Sequence, residues 1–155
     1  MSRPFWWILP AAFLLGCGAT APREPSPAGE GTALRLVLRA DRSVYALGAP
    51  VTLTLAVTNP GPAPVTLTAP SSQLYDFAVL RDGAEVWRWS AGRMFLAVLT
   101  DLTIRPGETR AFTEVWDQRD RDGRPVGPGD YVVVGRLIGG ERLGLAPERL
   151  RIAIR

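Results

Sequence analysis

The chain has 155 residues, of which 46% are hydrophobic, a length and composition that suit one domain with its own core. All 18 basic residues are Arg, dispersed along the chain with a net charge of only +3, so the clustered basic footprint of a nucleic-acid binder is absent. The chain contains no His and no Lys, which excludes Ser-His-Asp, Cys-His and Ser-Lys catalysis. We therefore expect a protein that is not an enzyme.

The first 16 residues have the pattern of a secretory signal peptide. Arg3 precedes an apolar stretch, Phe5 to Leu15, that is too short to span a bilayer as a helix. The stretch runs into Leu14-Leu15-Gly16-Cys17, which resembles the lipobox of bacterial lipoproteins. Cys17 is the only cysteine, and a lone thiol is a liability in an oxidising compartment unless it is acylated. The alternative is an ordinary signal peptide that happens to contain a cysteine.

These features predict cleavage before Cys17 and attachment of lipid, such as palmitate, to that residue. The mature protein would then be anchored to a bacterial membrane on its extracytoplasmic side, in the cell envelope. Residues 17–32, which follow the cleavage point, are rich in Pro and Gly and show no hydrophobic periodicity, as expected of a flexible tether. The folded domain is predicted to comprise residues 33–155.

From Ala33 onward, apolar and polar residues alternate with a period of two, which is typical of half-buried antiparallel strands. The alternation is clearest at Leu34 to Arg39 and at Val51 to Thr58, where Thr and Ala occupy the outer positions of the second run. Further strands are predicted at Val65–Thr68, Tyr75–Arg81, Glu85–Trp89, Thr100–Ile104, Thr109–Trp116, Asp130–Ile138 and Arg149–Arg155.

Short strands at this spacing, separated by turns such as Asp82-Gly83 and Pro106-Gly107, predict an all-β, immunoglobulin-like antiparallel β-sandwich. Tyr131 follows a Pro-Gly turn at the start of a strand, where such folds place a tyrosine whose hydroxyl fixes a corner.

The stretch Trp87 to Phe95 reads WRWSAGRMF and combines a strand end with a loop. Asp82-Gly83 predicts a hairpin that pairs Tyr75–Leu80 with the strand containing Trp87 and Trp89. These two tryptophans share one strand face, and we expect them to belong to the core rather than to a ligand platform.

Several motifs in this part of the chain resemble the BsuPI family of intracellular proteinase inhibitors. They are SSQLYDF, which contains Gln73, Tyr75, Asp76 and Phe77; WRWSAGRMF; the Pro-Gly-Glu turn before Trp116; and the Gly-Pro-Gly-Asp turn before Tyr131. The resemblance covers about Leu53 to Ile138. It implies a β-sandwich that inhibits a serine proteinase, although the lipobox points to an exported rather than an intracellular chain.

An inhibitor of this kind needs one exposed, rigid loop that enters the active site of its target. The loop that opens at Ser90 offers Arg93 for a trypsin-like pocket, or Met94 and Phe95 for a subtilisin-like one. The alternatives are that Met94 and Phe95 plug the end of the sandwich, that the domain is a non-inhibitory assembly module of the envelope, or that exposed aromatic residues bind a small ligand or carbohydrate.

No cofactor or metal is expected. The segment Asp117 to Gly123 resembles part of a calcium loop, but its first ligand position is a Gln and its last is Gly129 rather than a Glu, so a solvated turn is favoured. The predicted partners are a protein and, through the lipid, a membrane. We expect a monomer.

Overall fold

A computed structural model describes residues 34–155 of the chain. The predicted signal peptide, Cys17 and the tether lie outside the described residues. The strands are numbered in chain order: β1 (Arg35–Ala40), β2 (Val44–Tyr45), β3 (Val51–Thr58), β4 (Val65–Ala69), β5 (Tyr75–Arg81), β6 (Ala84–Arg88), β7 (Thr100–Ile104), β8 (Thr109–Trp116), β9 (Gly129–Leu137) and β10 (Glu148–Ile154). The remaining regular element is a short 3₁₀ helix, Gly140–Leu143. No helix within residues 34–155 is long and apolar enough to cross a bilayer.

The strands form an immunoglobulin-like β-sandwich. One sheet has the order β1-β3-β8 and the other β2-β10-β9-β5-β6, while β4 and β7 make a separate two-stranded ladder. The first part of the domain contributes to both sheets, because β1 pairs antiparallel with β3 and β2 pairs parallel with β10. The two large sheets thus form the all-β sandwich that the sequence predicts.

All nine predicted strands are present: four have the predicted bounds, and the other five have ends that shift by one residue. The Asp82-Gly83 hairpin pairs β5 with β6 as expected, with an irregularity between Val79 and Leu80. The sequence analysis missed β2, which has only two residues and pairs with a strand more than 100 positions away. It also missed the 3₁₀ helix, which begins after Gly139 in the left-handed conformation (φ 82°).

The core lies between the two large sheets and is filled by the inward-facing residues of each strand. Leu53, Leu55 and Val57 of β3 are fully buried, as are Phe77 and Val79 of β5. The sheets approach closely at Gly135 of β9, where an added Cβ would lie 3.0 Å from side-chain atoms of Leu38 and Leu55. A small residue is therefore needed at that point of the sandwich.

Contacts between Trp116 and Tyr131 show which strand ends of the two sheets lie at the same end of the sandwich. Trp116, at the end of β8, packs edge-on against Tyr131 at the start of β9, with ring centroids 5.6 Å apart. The Tyr131 hydroxyl donates to the Gly127 carbonyl at 2.6 Å, the geometry of a tyrosine corner. Because Trp116 pairs with Val51, the beginnings of β3 and β9 lie at one end of the sandwich and their last residues at the other.

The strand pairings place the predicted loop at that other end, where β3 and β9 finish. β1 and β5 both begin there, because Arg35 pairs with Thr58 and Tyr75 pairs with Leu137. β6 runs back towards this end, since Arg88 pairs with Ala78. We call it the loop end of the sandwich.

Candidate functional site

The most exposed apolar side chains of the described residues lie in the segment Ser90–Leu99, which joins β6 to β7 and is called the apolar loop below. Met94 is 98% exposed, and Leu96, Val98 and Leu99 are each more than half exposed. An apolar cluster left in solvent on one segment is a common feature of binding surfaces, because water contact with these side chains is unfavourable unless a partner covers them.

The first turn of the loop is anchored by a buried carboxylate. Asp76 is 1% exposed and accepts hydrogen bonds from the Ser90 hydroxyl at 3.0 Å and from the Ser90 backbone N–H at 3.3 Å. Its charge is balanced by the guanidinium of Arg88 at 2.6 Å and that of Arg136 at 3.2 Å. Burying a charge is costly unless it is paired and hydrogen-bonded, and this arrangement satisfies both requirements.

A second anchor lies further along the loop, at Leu96. The Ser72 backbone N–H donates to the Leu96 carbonyl at 2.9 Å, and the Leu96 N–H donates to the Ser72 hydroxyl at 2.9 Å. Thr100 then enters β7, where it pairs with Ala69. The loop is therefore fixed on both sides of Met94, by Asp76 before it and by Ser72 after it.

A row of aromatic rings connects the apolar loop to β8 in the opposite sheet. Phe95 contacts Trp89 (centroids 5.7 Å apart), Trp89 stacks on Tyr75 (4.5 Å), and Tyr75 stacks on Phe112 of β8 (4.5 Å). Such pairs stabilise beyond the area they bury. The Tyr75 hydroxyl also donates to the Glu114 carboxylate at 2.5 Å; burial and this hydrogen bond raise the pKa of Tyr75 well above its usual value.

Arg93 is held against the body of the loop. Its Nε donates to the Trp89 carbonyl at 2.9 Å, and its guanidinium lies 4.5 Å from the Trp89 ring centroid, in cation–π geometry. The preceding residue, Gly92, has φ 74°, a conformation that favours glycine and reverses the chain. Of the three residues predicted for the loop, Met94 is almost fully exposed, Arg93 is exposed but packs on the Trp89 ring, and Phe95 is partly buried against the same ring.

The remaining predicted residues form the scaffold around the loop. Gln73 donates to the Tyr75 carbonyl at 3.1 Å, and Trp87 is half-buried against Trp116 with centroids 6.2 Å apart. Trp116 is fully buried and donates its Nε1–H to the Arg119 carbonyl at 2.8 Å. Because Trp89 is also buried, a ligand platform built on these tryptophans would rest on Trp87 alone.

The sequence analysis missed two residues that hold the loop. Arg136 reaches Asp76 because β9 pairs with β5, an adjacency between residues 60 positions apart that local patterns do not reveal. Ser72 lies within the SSQLYDF motif, but its bonds to Leu96 depend on the course of the loop. The SSQLYDF motif could have drawn attention to Ser72. No feature of the sequence indicates a role for Arg136.

The segment Asp117–Gly123 is a turn stabilised from within. One carboxylate oxygen of Asp120 accepts the backbone N–H groups of Asp122 and Arg124, both at 2.9 Å. The Arg119 guanidinium donates to the Gly123 carbonyl at 2.7 Å. Among residues 34–155 there is no group of three or more His, Cys, Asp or Glu side chains placed to hold a metal ion.

The fold and the anchored loop define an immunoglobulin-like sandwich that presents a rigid apolar segment at one end. The profile of the BsuPI family, described as intracellular proteinase inhibitor, matches residues 38–141. This match spans more than half of the chain and includes the whole apolar loop, so the chain belongs to the BsuPI family. No curated protein matches the chain.

Solved structures with a similar arrangement are distant in sequence. The β-glucosidase EmGH1 of Erythrobacter marinus is 18% identical with a TM-score of 0.48; the match covers 80% of this chain and 16% of that one. The alkylpurine DNA glycosylase AlkC of Pseudomonas fluorescens is 17% identical with a TM-score of 0.49, covering 79% and 30%. The CARDB domain of the PF1109 protein of Pyrococcus furiosus is 14% identical with a TM-score of 0.47, covering 79% and 88%. The chain thus spans less than a third of the length of EmGH1 and of AlkC.

Proposed function

We propose that this protein is a lipid-anchored, non-enzymatic inhibitor of a serine proteinase in the bacterial envelope, and that it binds its target through the apolar loop. The observation that carries the proposal is the presentation of Met94. This side chain is 98% exposed on a segment fixed by Asp76 on one side and by Ser72 on the other.

Rigidity is the physical reason to connect this loop with inhibition. A binding segment that is already ordered loses little conformational entropy on docking, so more of its contact energy appears as affinity. The hydrogen bonds at Ser90 and Leu96 and the tilted ring contact of Phe95 with Trp89 supply that order before the target arrives.

The same geometry favours a target with an apolar specificity pocket. Met94 is free to enter such a pocket, and Leu96, Val98 and Leu99 supply further apolar contacts on one side of it. Arg93 would have to leave both the Trp89 carbonyl and the Trp89 ring before its guanidinium could enter a trypsin-like pocket. A subtilisin-like proteinase is therefore the preferred partner, with Arg93 positioning the loop.

The location follows from the predicted lipobox rather than from the described domain. If Cys17 carries lipid, the target is a proteinase that works outside the cytoplasm, in contrast to the intracellular setting in the family description. A second candidate, a non-inhibitory assembly module of the envelope, would use a free sheet edge instead of the apolar loop.

The proposal is tested by titrating active-site-counted subtilisin-like and trypsin-like proteinases with residues 34–155, which contain both sheets and the complete described core. We expect stoichiometric inhibition of a subtilisin-like enzyme. Met94→Asp should weaken it about a hundredfold or more, because a charge would have to be buried in an apolar pocket.

Leu47→Asp is the matched control. Leu47 is 54% exposed and its N–H bonds to the Arg155 carbonyl, which places it away from the loop end, so inhibition should be unchanged. Well-folded protein that inhibits neither class of proteinase at micromolar concentration would refute the loop function and favour the assembly module.

A further inference from the structure

The strand β8 is a long sheet edge that nothing covers in the described part of the chain. It pairs with β3 over all eight of its residues and with no strand on its other side. Thr109, Ala111, Thr113 and Val115 are all exposed, and Val115 is 56% exposed despite its apolar side chain. An uncovered edge offers a row of backbone donors and acceptors to another strand.

The hydrogen-bond alternation shows which backbone groups are free. The Asp41 N–H donates to the Thr52 carbonyl, so the even-numbered residues of β3 face β1. The Asn59 N–H donates to the Glu108 carbonyl, so the odd-numbered side of β3 faces the even-numbered residues of β8. The N–H and C=O groups of Thr109, Ala111, Thr113 and Val115 therefore point away from the sheet.

Other edges of the two large sheets are protected. The outer side of β6 is covered where the Arg121 N–H donates to the Val86 carbonyl at 2.9 Å. β2 has only two residues, and β1 carries two exposed arginines, Arg35 and Arg39. β8 has no Pro, Gly or bulge within its eight residues, and its two charged residues, Arg110 and Glu114, have opposite signs, so they do not repel a second copy of the strand.

We propose that β8 is a self-association surface that pairs antiparallel with β8 of a second copy of this chain. The charge pattern selects this occupant. With the two-fold axis at Phe112, Arg110 of each copy lies opposite Glu114 of the other, so two ion pairs form across the interface. In the same register Ala111 faces Thr113 and Thr109 faces Val115.

Both charged side chains are available for these ion pairs in the monomer. The Arg110 side chain is 51% exposed and pairs with Glu108 at 2.7 Å, a surface contact of small energy that exchanges readily. One carboxylate oxygen of Glu114 accepts the Tyr75 hydroxyl, and its second oxygen is left to accept from the arginine of the other copy.

This register also matches the free backbone groups. The four outward-facing residues of one strand meet the four of the other, as an antiparallel ladder requires. The pairing extends the β1-β3-β8 sheet across the dimer and covers the exposed Val115 side chain. The proposed dimer differs from the monomer expected from the sequence, and the sedimentation experiment below decides between them. The proposal is independent of the proposed loop function, so either can fail without the other.

Sedimentation equilibrium of residues 34–155 over a wide concentration range tests the proposal. We expect a monomer–dimer equilibrium that Ala111→Pro abolishes. Proline removes an outward N–H and leaves the hydrogen bonds to β3 intact, so the thermal unfolding of the monomer should be retained.

Charge reversal provides a test that does not depend on the proline variant. Arg110→Glu alone and Glu114→Arg alone should each raise the dimer dissociation constant about tenfold or more, because like charges then face each other. An equimolar mixture of the two variants should dimerise again, since every glutamate at the interface would then face an arginine of the other chain. Arg35→Glu, on the opposite edge of the same sheet, is the control and should leave the equilibrium unchanged.

A wild-type chain that stays monomeric at all concentrations would overturn the proposal. So would a dimer that survives Ala111→Pro, or single charge variants that the mixture does not rescue.

Discussion

At the scale of single residues, Asp76 connects the core to the apolar loop. Its carboxylate is almost fully buried, yet it lies within hydrogen-bond distance of two guanidinium groups and of Ser90. The guanidinium groups are only partly buried, with side chains of Arg88 and Arg136 31% and 41% exposed. Asp76 of β5 therefore contacts the last residue of β6, the first residue of the apolar loop and a residue of β9.

Replacing Asp76 with Asn should destabilise the domain by about 3 kcal/mol, the lower end of the range for breaking a buried ion pair, because water can still reach both arginines. Chemical denaturation of residues 34–155 measures this change. Glu85→Gln is the control, because Glu85 is exposed and pairs only with Arg88. This variant keeps Asp76, and its free energy of unfolding should fall by less than about 1 kcal/mol. Equal losses for the two variants would contradict the anchoring role of Asp76.

At the scale of secondary structure elements, β6 and the apolar loop act as one unit through Trp89. This residue follows the last residue of β6 and donates its backbone N–H to the Phe77 carbonyl at 2.9 Å. Its ring stacks on Tyr75 and makes a tilted contact with Phe95. The same side chain thereby completes the core and supports the loop.

Trp89→Ala should cost about 3–5 kcal/mol of unfolding free energy, because it removes a large buried ring and leaves a cavity. Leu47→Ala, at a half-exposed position outside the core, should change stability by less than about 0.5 kcal/mol. Thermal or denaturant unfolding of both variants decides the matter. A cooperative Trp89→Ala variant with wild-type stability would show that this tryptophan is not a core residue.

The limits of sequence reasoning are visible in the same elements. The alternation of apolar and polar residues is local, which is why Val51–Thr58 and Thr109–Trp116 were predicted with the bounds that the structure has. β2 escaped because two residues carry no periodicity and its partner β10 is distant in sequence.

The sequence predicted the candidate loop as a segment, but the role of each of its residues could be assigned only from the structure. Arg93, Met94 and Phe95 are adjacent in sequence, and no pattern distinguishes the almost fully exposed side chain of Met94 from the two that pack on Trp89. That distinction depends on the turn at Gly92 and on the position of the Trp89 ring, which is set by packing against Tyr75.

At the scale of the whole molecule, the strand directions place the start of the domain at the loop end. β1 begins opposite the last residue of β3, so Leu34 lies at the same end of the sandwich as the apolar loop. The predicted tether, residues 17–32, could extend to about 50 Å at ~3 Å per residue, enough to admit a globular proteinase between domain and membrane. We therefore expect tether length to matter for the anchored protein.

The lipid anchor itself is tested at Cys17. Cys17→Ser should abolish labelling by a fatty-acid analogue and release the protein from the membrane fraction, because the single acceptor thiol is lost. The domain should fold as before, since the two large sheets and the described core lie within residues 34–155. A wild-type protein that fractionates as soluble, with a different N-terminus, would contradict the lipoprotein prediction.

The central claim, that the apolar loop enters the active site of a proteinase, is tested most directly by competition. A subtilisin-like enzyme that the domain inhibits is prepared in two forms: free, and with its substrate cleft filled by a covalently attached peptide. Binding of residues 34–155 to each form is then measured by calorimetry. We predict that filling the cleft weakens binding about a hundredfold or more, because Met94 and its neighbours can no longer reach the specificity pocket. Equal affinity for the two forms would show that the domain binds elsewhere on the enzyme and would contradict the account.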